Sequence, residues 1–169
     1  MRHTISLLVD NESGVLSRIA GLFSARGFNI ESLCVAETHE PGTSRITLVT
    51  YGDPNIIDQI TKRFNNMVNV IKVTDLTDQT RVEREMILIR VEANKETRAE
   101  ILRIVDIFRA KVVDVGQKNY TLELTGDKDK LEAFIDLLTP LGIKEIARTG
   151  TVAITRDNQK KSRRRTNNK

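Results

Sequence analysis

Hydrophobic positions along the chain switch between two periods, and each switch marks a change of element. Ile5, Leu7 and Val9 alternate with polar neighbours, which predicts a strand over His3 to Val9 with one buried face. Asp10-Asn11-Glu12-Ser13-Gly14 is a turn. Val15, Leu16, Ile19, Ala20, Leu22 and Phe23 then recur at helical spacing, so a helix is expected over about 14 to 26, with Gly27 as its left-handed stop. Residues 28–37 and 44–51 read as strands joined through the Pro41-Gly42 turn. Asp53 followed by Pro54 is an N-cap and first helical position, and Ile56, Ile57, Ile60 and Phe64 form the buried stripe of the helix that follows. Asn65-Asn66 ends it. Val68, Val70 and Val73 supply a fourth strand.

The second half repeats the order. Glu85 to Val91 is a strand, Ile101, Ile104, Val105 and Phe108 share a helical face, and 111–115 with 120–124 make a hairpin. Asp127 caps a helix with the stripe Leu131, Phe134, Ile135 and Leu138, ended by Pro140 and Gly142; Ile143 to Ala147 closes the set. Two copies of βαββαβ predict an α+β chain of two tandem ferredoxin-like domains, each a four-stranded antiparallel sheet with both helices on one face. The expected boundaries are 1–76, 77–155 and a basic tail at 156–169, with the polar stretch 76–85 as junction. Domains this small bury little surface alone. Sheet edges or bare faces are therefore expected to pair with a second copy, making at least a homodimer.

Charge adds a distinction between body and tail. The formal net charge is +4, but residues 156–169 hold seven Lys or Arg against one Asp, which leaves −2 for residues 1–155. That end lacks apolar residues and is expected to be disordered and solvated, so the basic excess is weak evidence for a nucleic-acid partner. Runs such as Leu7 to Val9 and Met86 to Ile89 fall far short of a membrane span, and acidic Asp10 and Glu12 interrupt the start where a secretory signal would stay apolar. A cytoplasmic protein is expected. The single cysteine, Cys34, excludes an internal disulfide; its apolar strand neighbours predict a small core residue. His3 and His39 are expected to be solvated, Glu83 and Glu85 to be surface charge, and no metal site is expected.

Candidate chemistry gathers at the first turn. A polar turn entering a helix presents backbone N–H groups without partners at the positive end of the macrodipole, which suits a carboxylate. Gly14 leaves room for an anion near the amides of Gly14, Val15 and Leu16, and Asn11 offers a carbonyl to a ligand ammonium. Asn29 offers the same from a neighbouring loop or subunit. Simple capping by Asn11 or Ser13 and a turn at Asn29 explain the same residues without a ligand. The chain holds no Gly-x-Ser-x-Gly, phosphate loop, His-Glu-x-x-His or GxGxxG, so no catalytic residue is assigned.

The run from Asn11 to Leu16, the segment Arg26-Gly27-Phe28-Asn29-Ile30 with Glu31-Ser32-Leu33, and the stretch RVERE from Arg81 resemble the small regulatory subunits of acetohydroxyacid synthase (acetolactate synthase), which begin with an ACT domain. The likeness is nearest to the enterobacterial valine-sensitive isozyme III type and extends over residues 1 to about 156. It implies a non-catalytic subunit that activates a large catalytic subunit and makes it sensitive to valine in branched-chain amino-acid biosynthesis. Thiamine diphosphate, Mg²⁺ and FAD would belong to that catalytic subunit, and this chain would carry no cofactor. The resemblance also implies ACT domains paired edge to edge with valine between them, so Asn11, Gly14, Val15 and Leu16 would come from one subunit and Asn29, Ile30 and Val35 from the other. The runner-up is a nucleic-acid-binding ferredoxin-like protein, although the strands lack the aromatic set that stacks RNA bases.

Overall fold

The computed structural model describes residues 1–25 and 27–157. The first half runs β1 (Arg2–Asp10), α1 (Val15–Ser24), β2 (Ile30–Glu37), β3 (Thr43–Tyr51), α2 (Pro54–Asn65) and β4 (Val70–Asp75). The second runs β5 (Arg81–Glu92), α3 (Arg98–Phe108), β6 (Lys111–Val115), β7 (Asn119–Gly126), α4 (Lys128–Leu138), β8 (Ile143–Arg148) and β9 (Val152–Thr155). Both sheets are antiparallel, with strand orders β2-β3-β1-β4 and β6-β7-β5-β8. The expected tandem of ferredoxin-like α+β units is what the chain forms.

Register explains the two cores. Ile5 lies opposite Leu48 and Leu7 opposite Ile46, so the alternate side chains of both central strands of the first sheet reach the same helices. Val15, Ile19 and Phe23 of α1 and Ile57, Ile60 and Phe64 of α2 meet them, with the Phe23 and Phe64 ring centres 5.7 Å apart. In the second unit Ile87 faces Leu124 and Ile89 faces Leu122, beneath Ile101, Ile104, Leu131 and Phe134. Each such fully buried side chain contributes about 1.5 to 3 kcal/mol. Asp53 accepts a hydrogen bond from the Asn55 amide and Asp127 one from the Lys130 amide, so both expected aspartate caps form.

Several expectations are corrected by contacts between distant segments. Helix α1 ends at Ser24 rather than 26, although Gly27 does take the left-handed conformation at φ 70°. Val68 precedes β4 and is almost fully exposed, because the chain turns through a Val70 amide to Met67 carbonyl bond before the strand begins. His3 is buried rather than solvated: it shares the helix-side face of β1 with Ile5, and its Nδ1 lies 3.5 Å from Thr77 Oγ1. The chain also adds a strand. After β8, Gly150 at φ 79° turns the backbone so that β9 pairs with the start of β5, Arg81 opposite Thr155 and Arg84 opposite Val152.

That added strand changes the first sheet's surroundings. β5 is 12 residues long; its later part pairs with β7 and β8 while its first four residues pair with β9. This arm lies against the reverse face of the first sheet, where Thr4, Ser6, Thr47 and Val49 are buried, as is Ala153 of β9. The reverse face expected to be bare is therefore partly covered within the chain. The basic end beyond Asp157, expected to be disordered, lies outside the described residues, as does Arg26.

Candidate functional site

Helix α1 starts without a side-chain cap. Gly14 occupies the N-cap at φ 84°, ψ −11°, and a Cβ there would meet nothing within 4 Å. The Val15 amide makes a long bond of 3.4 Å to the Glu12 carbonyl, while those of Gly14 and Leu16 donate to no backbone group among the described residues. The helix thus presents open amides at its positive end, and the positive φ makes glycine the residue that fits.

The turn is braced from both sides. The Asn11 amide donates to the Gly42 carbonyl at 2.8 Å, and the Gly42 amide donates to Glu37 Oε1 at 3.0 Å, so the two turns of the first unit hold each other. Asn69 Nδ2 donates to Glu12 Oε2 at 2.9 Å and to Asp10 Oδ2 at 3.4 Å, while Arg18 Nη2 donates to Asn69 Oδ1 at 2.6 Å. Asn69 and Arg18 are absent from the sequence-based candidates. Their partners lie more than 50 positions away, with no local periodicity to reveal them.

Six of the seven candidate residues divide between two ends of the module, and Val35 lies between them. Asn11 and Gly14 are exposed at the start of α1, and Leu16 on its first turn is 41% exposed. Val15 is 2% exposed and packs in the core, as the apolar stripe of the helix predicts, and offers a ligand its backbone amide. Asn29 is exposed beyond the far end of the helix, its carbonyl accepting from Thr50 Oγ1 at 2.7 Å, and Ile30 packs against the first core. A ten-residue helix is about 15 Å long, so one chain does not bring Asn29 to Gly14. Val35, 41% exposed, lies between them on β2 opposite Ile46, on the face shared with Leu33. β2 is the outer strand of its sheet and, among the described residues, pairs only with β3.

A sizeable cavity lies elsewhere. It has a volume of about 620 Å³ and opens between the reverse face of β2 and β3 and the β9 arm, lined by Leu8, Cys34, Ala36, Arg45, Val152 and Ile154. Cys34 is half-buried there rather than in the core. A smaller cleft of about 300 Å³ separates the two units, between Arg2, Glu31 and Ser32 on one side and Lys128, Arg148 and Thr151 on the other. The helix start resembles neither: it is an open surface beside a free strand edge.

An open helix start beside an outer strand, in a βαββαβ unit joined to a second such unit, is the plan of an ACT-domain regulatory protein. Residues 5–72 match the family model for the ACT domain of acetohydroxyacid synthase small subunits, and residues 84–157 match the model described as the small subunit of acetolactate synthase. The probable acetolactate synthase small subunit of Archaeoglobus fulgidus is 51% identical over 95% of this chain and all of its own length. The acetolactate synthase small subunit of Bacillus subtilis is 49% identical, over 96% of this chain and 95% of that protein. The crystal structure of the acetolactate synthase small subunit from Thermotoga maritima superposes with a TM-score of 0.85 at 45% identity, covering 94% of this chain and 99% of that one. The chain belongs to the acetolactate synthase small-subunit family.

Proposed function

We propose that this chain is the non-catalytic regulatory subunit of a cytoplasmic acetohydroxyacid synthase, activating the large catalytic subunit and making it sensitive to valine. Thiamine diphosphate, Mg²⁺ and FAD would be held by that large subunit. The observation that carries the valine reading is that Asn29, Ile30 and Val35 follow one outer strand, β2, whose far end is tied through the Gly42 turn to the start of α1. If two copies pair β2 against β2 antiparallel about a two-fold axis near the middle of the strand, the start of β2 in one copy falls opposite the end of β2 in the other. Glu37 is the end of β2 that bonds to the Gly42 turn, beside the start of α1. Asn29 and Ile30 of the partner subunit then approach Asn11, Gly14 and Leu16, which a single chain keeps a helix length apart.

The forces suffice for a ligand of this size. Binding in the micromolar to millimolar range needs about 4 to 8 kcal/mol, within reach of about eight heavy atoms. Open amides of Gly14 and Leu16 supply charge-assisted hydrogen bonds to the carboxylate, Asn11 or the partner subunit's Asn29 accepts from the ammonium, and Leu16 with Val35 covers the isopropyl group. Inhibition follows if valine favours one arrangement of the paired domains and the large subunit favours another.

The test is reconstitution with the cognate catalytic subunit. Co-purification, several-fold activation and a saturable loss of that activation with added valine support the proposal. Activation that valine leaves untouched at millimolar concentration removes the effector assignment, and turnover by this chain alone removes the non-catalytic one.

A further inference from the structure

The residues next to the candidate site also fasten the first domain to the second. Lys128 Nζ, on the first turn of α4, donates to Glu31 Oε1 at 3.1 Å and to Tyr51 Oη at 3.5 Å, and lies 5.9 Å from the Tyr51 ring centre. A lysine on the first turn opposes the helix macrodipole, so α4 does not gain from it; its favourable interactions are with the other domain. The Thr151 amide donates to Ser32 Oγ at 2.9 Å. Gly150 fits so closely there that a Cβ would stand 2.8 Å from Ser32 Oγ and 3.4 Å from the Leu33 carbonyl oxygen.

These contacts fall where β2 is irregular. Its register against β3 shifts between Ile30 and Ser32, with Ile30 opposite Thr50 and Ser32 opposite Val49. Ile30 packs toward the helices, whereas Ser32 and Glu31 hold the second domain. A bulge lets the strand start adjust locally, so a ligand contacting Asn29 and Ile30 alters the same short segment that Glu31 and Ser32 anchor.

We propose that the joint formed by Glu31 with Lys128 and by Ser32 with Thr151 relays occupancy of the α1-start site to the second domain. The inference rests on the valine reading above. Its physical content is that the ligated and free positions of the β2 start differ in how well they seat Lys128 and Thr151. The second domain then follows whichever state the ligand selects.

The test separates binding from response. Lys128→Met removes the ion pair, Ser32→Ala removes the acceptor for Thr151, and the two combined open the joint while sparing Asn11, Gly14, Leu16 and Asn29. Valine affinity is measured by calorimetry on the full-length chain, and inhibition on its complex with the catalytic subunit. The relay predicts affinity within about threefold of wild type, retained activation without valine, and a response to valine weakened about fivefold or more in the double variant. Each single variant should show a partial effect. Unaltered inhibition in the double variant overturns the proposal, and so does joint loss of activation and inhibition, which makes these residues a mere mount. A wild-type chain that binds no valine defeats the underlying reading, and the relay with it.

Discussion

Arg148 Nε and Nη2 meet the two carboxylate oxygens of Glu85 at 2.6 and 3.1 Å, a forked ion pair from the end of β8 onto the middle of β5. Glu85 sits where β5 leaves β9 for the second sheet, and only 8% of it is exposed. The hydrogen bond to Glu85 holds the Arg148 guanidinium above its usual range despite partial desolvation. Glu132 of α4 adds a second carboxylate at 3.3 Å.

Removing the arginine alone should cost more than removing both groups. Arg148→Met leaves Glu85 buried without its fork and is expected to destabilise the fold by about 1 to 3 kcal/mol in urea melts. Glu85→Leu added to Arg148→Met should recover more than half of that loss. A double variant as unstable as the single would show that the carboxylate's desolvation is not the cost.

The pair of Lys128 and Glu31 has a definite pH signature. Its hydrogen bond to Glu31 raises the Lys128 pKa above 10.5, against partial desolvation, with Tyr51 adding to the rise. A raised folded-state value means stability that is fully present below 10.5 and disappears as pH climbs through the folded value. The stability gap between wild type and Lys128→Met should therefore hold constant from neutral pH to near 10.5 and close above it. Denaturant melts across that range check the sign. A gap that widens in alkali contradicts the pairing.

The proposed pairing of β2 edges exposes itself to a charge. Val35 is 41% exposed in the single chain, so Val35→Lys should be tolerated by the fold, within about 0.5 kcal/mol. Buried in a two-fold interface beside the same residue's surroundings in the partner, the ammonium should shift the chain from dimer to monomer in sedimentation velocity at micromolar concentration. Valine affinity should fall with it, because Asn29 and Gly14 would no longer share a site.

Local signals carried the fold far and then stopped at segments whose burial is decided from a distance. Alternation at Ile5, Leu7 and Val9, the stripe through Ile19 and Phe23, and the Asp53-Pro54 start are all readable within a few residues, and each formed as expected. β9 was not readable. It has four residues, of which only Ala153 is buried, and what buries it is the arm's position on a sheet made by the first half of the chain. Glu85 looked like surface charge because its partner lies 63 positions away, and His3 looked like a loose terminus because Thr77 closes over it. At the candidate site the turn that precedes α1 and the glycine in it were readable from local residues. The helical stripe did not say which of the adjacent apolar residues Val15 and Leu16 turns inward, and it missed the Asn69 and Arg18 brace altogether.

The most direct measurement is a valine titration of the reconstituted enzyme carrying Gly14→Asp, beside Gly14→Asn. Both substitutions impose the same left-handed backbone strain, about 1 to 2 kcal/mol at most, and both enter open space. Only aspartate places a negative charge against the open amides. Activation should persist in both, with valine inhibition abolished in Gly14→Asp and weakened only modestly in Gly14→Asn. Wild-type sensitivity to valine in the aspartate variant would contradict the claim that the effector's carboxylate is held at the start of α1.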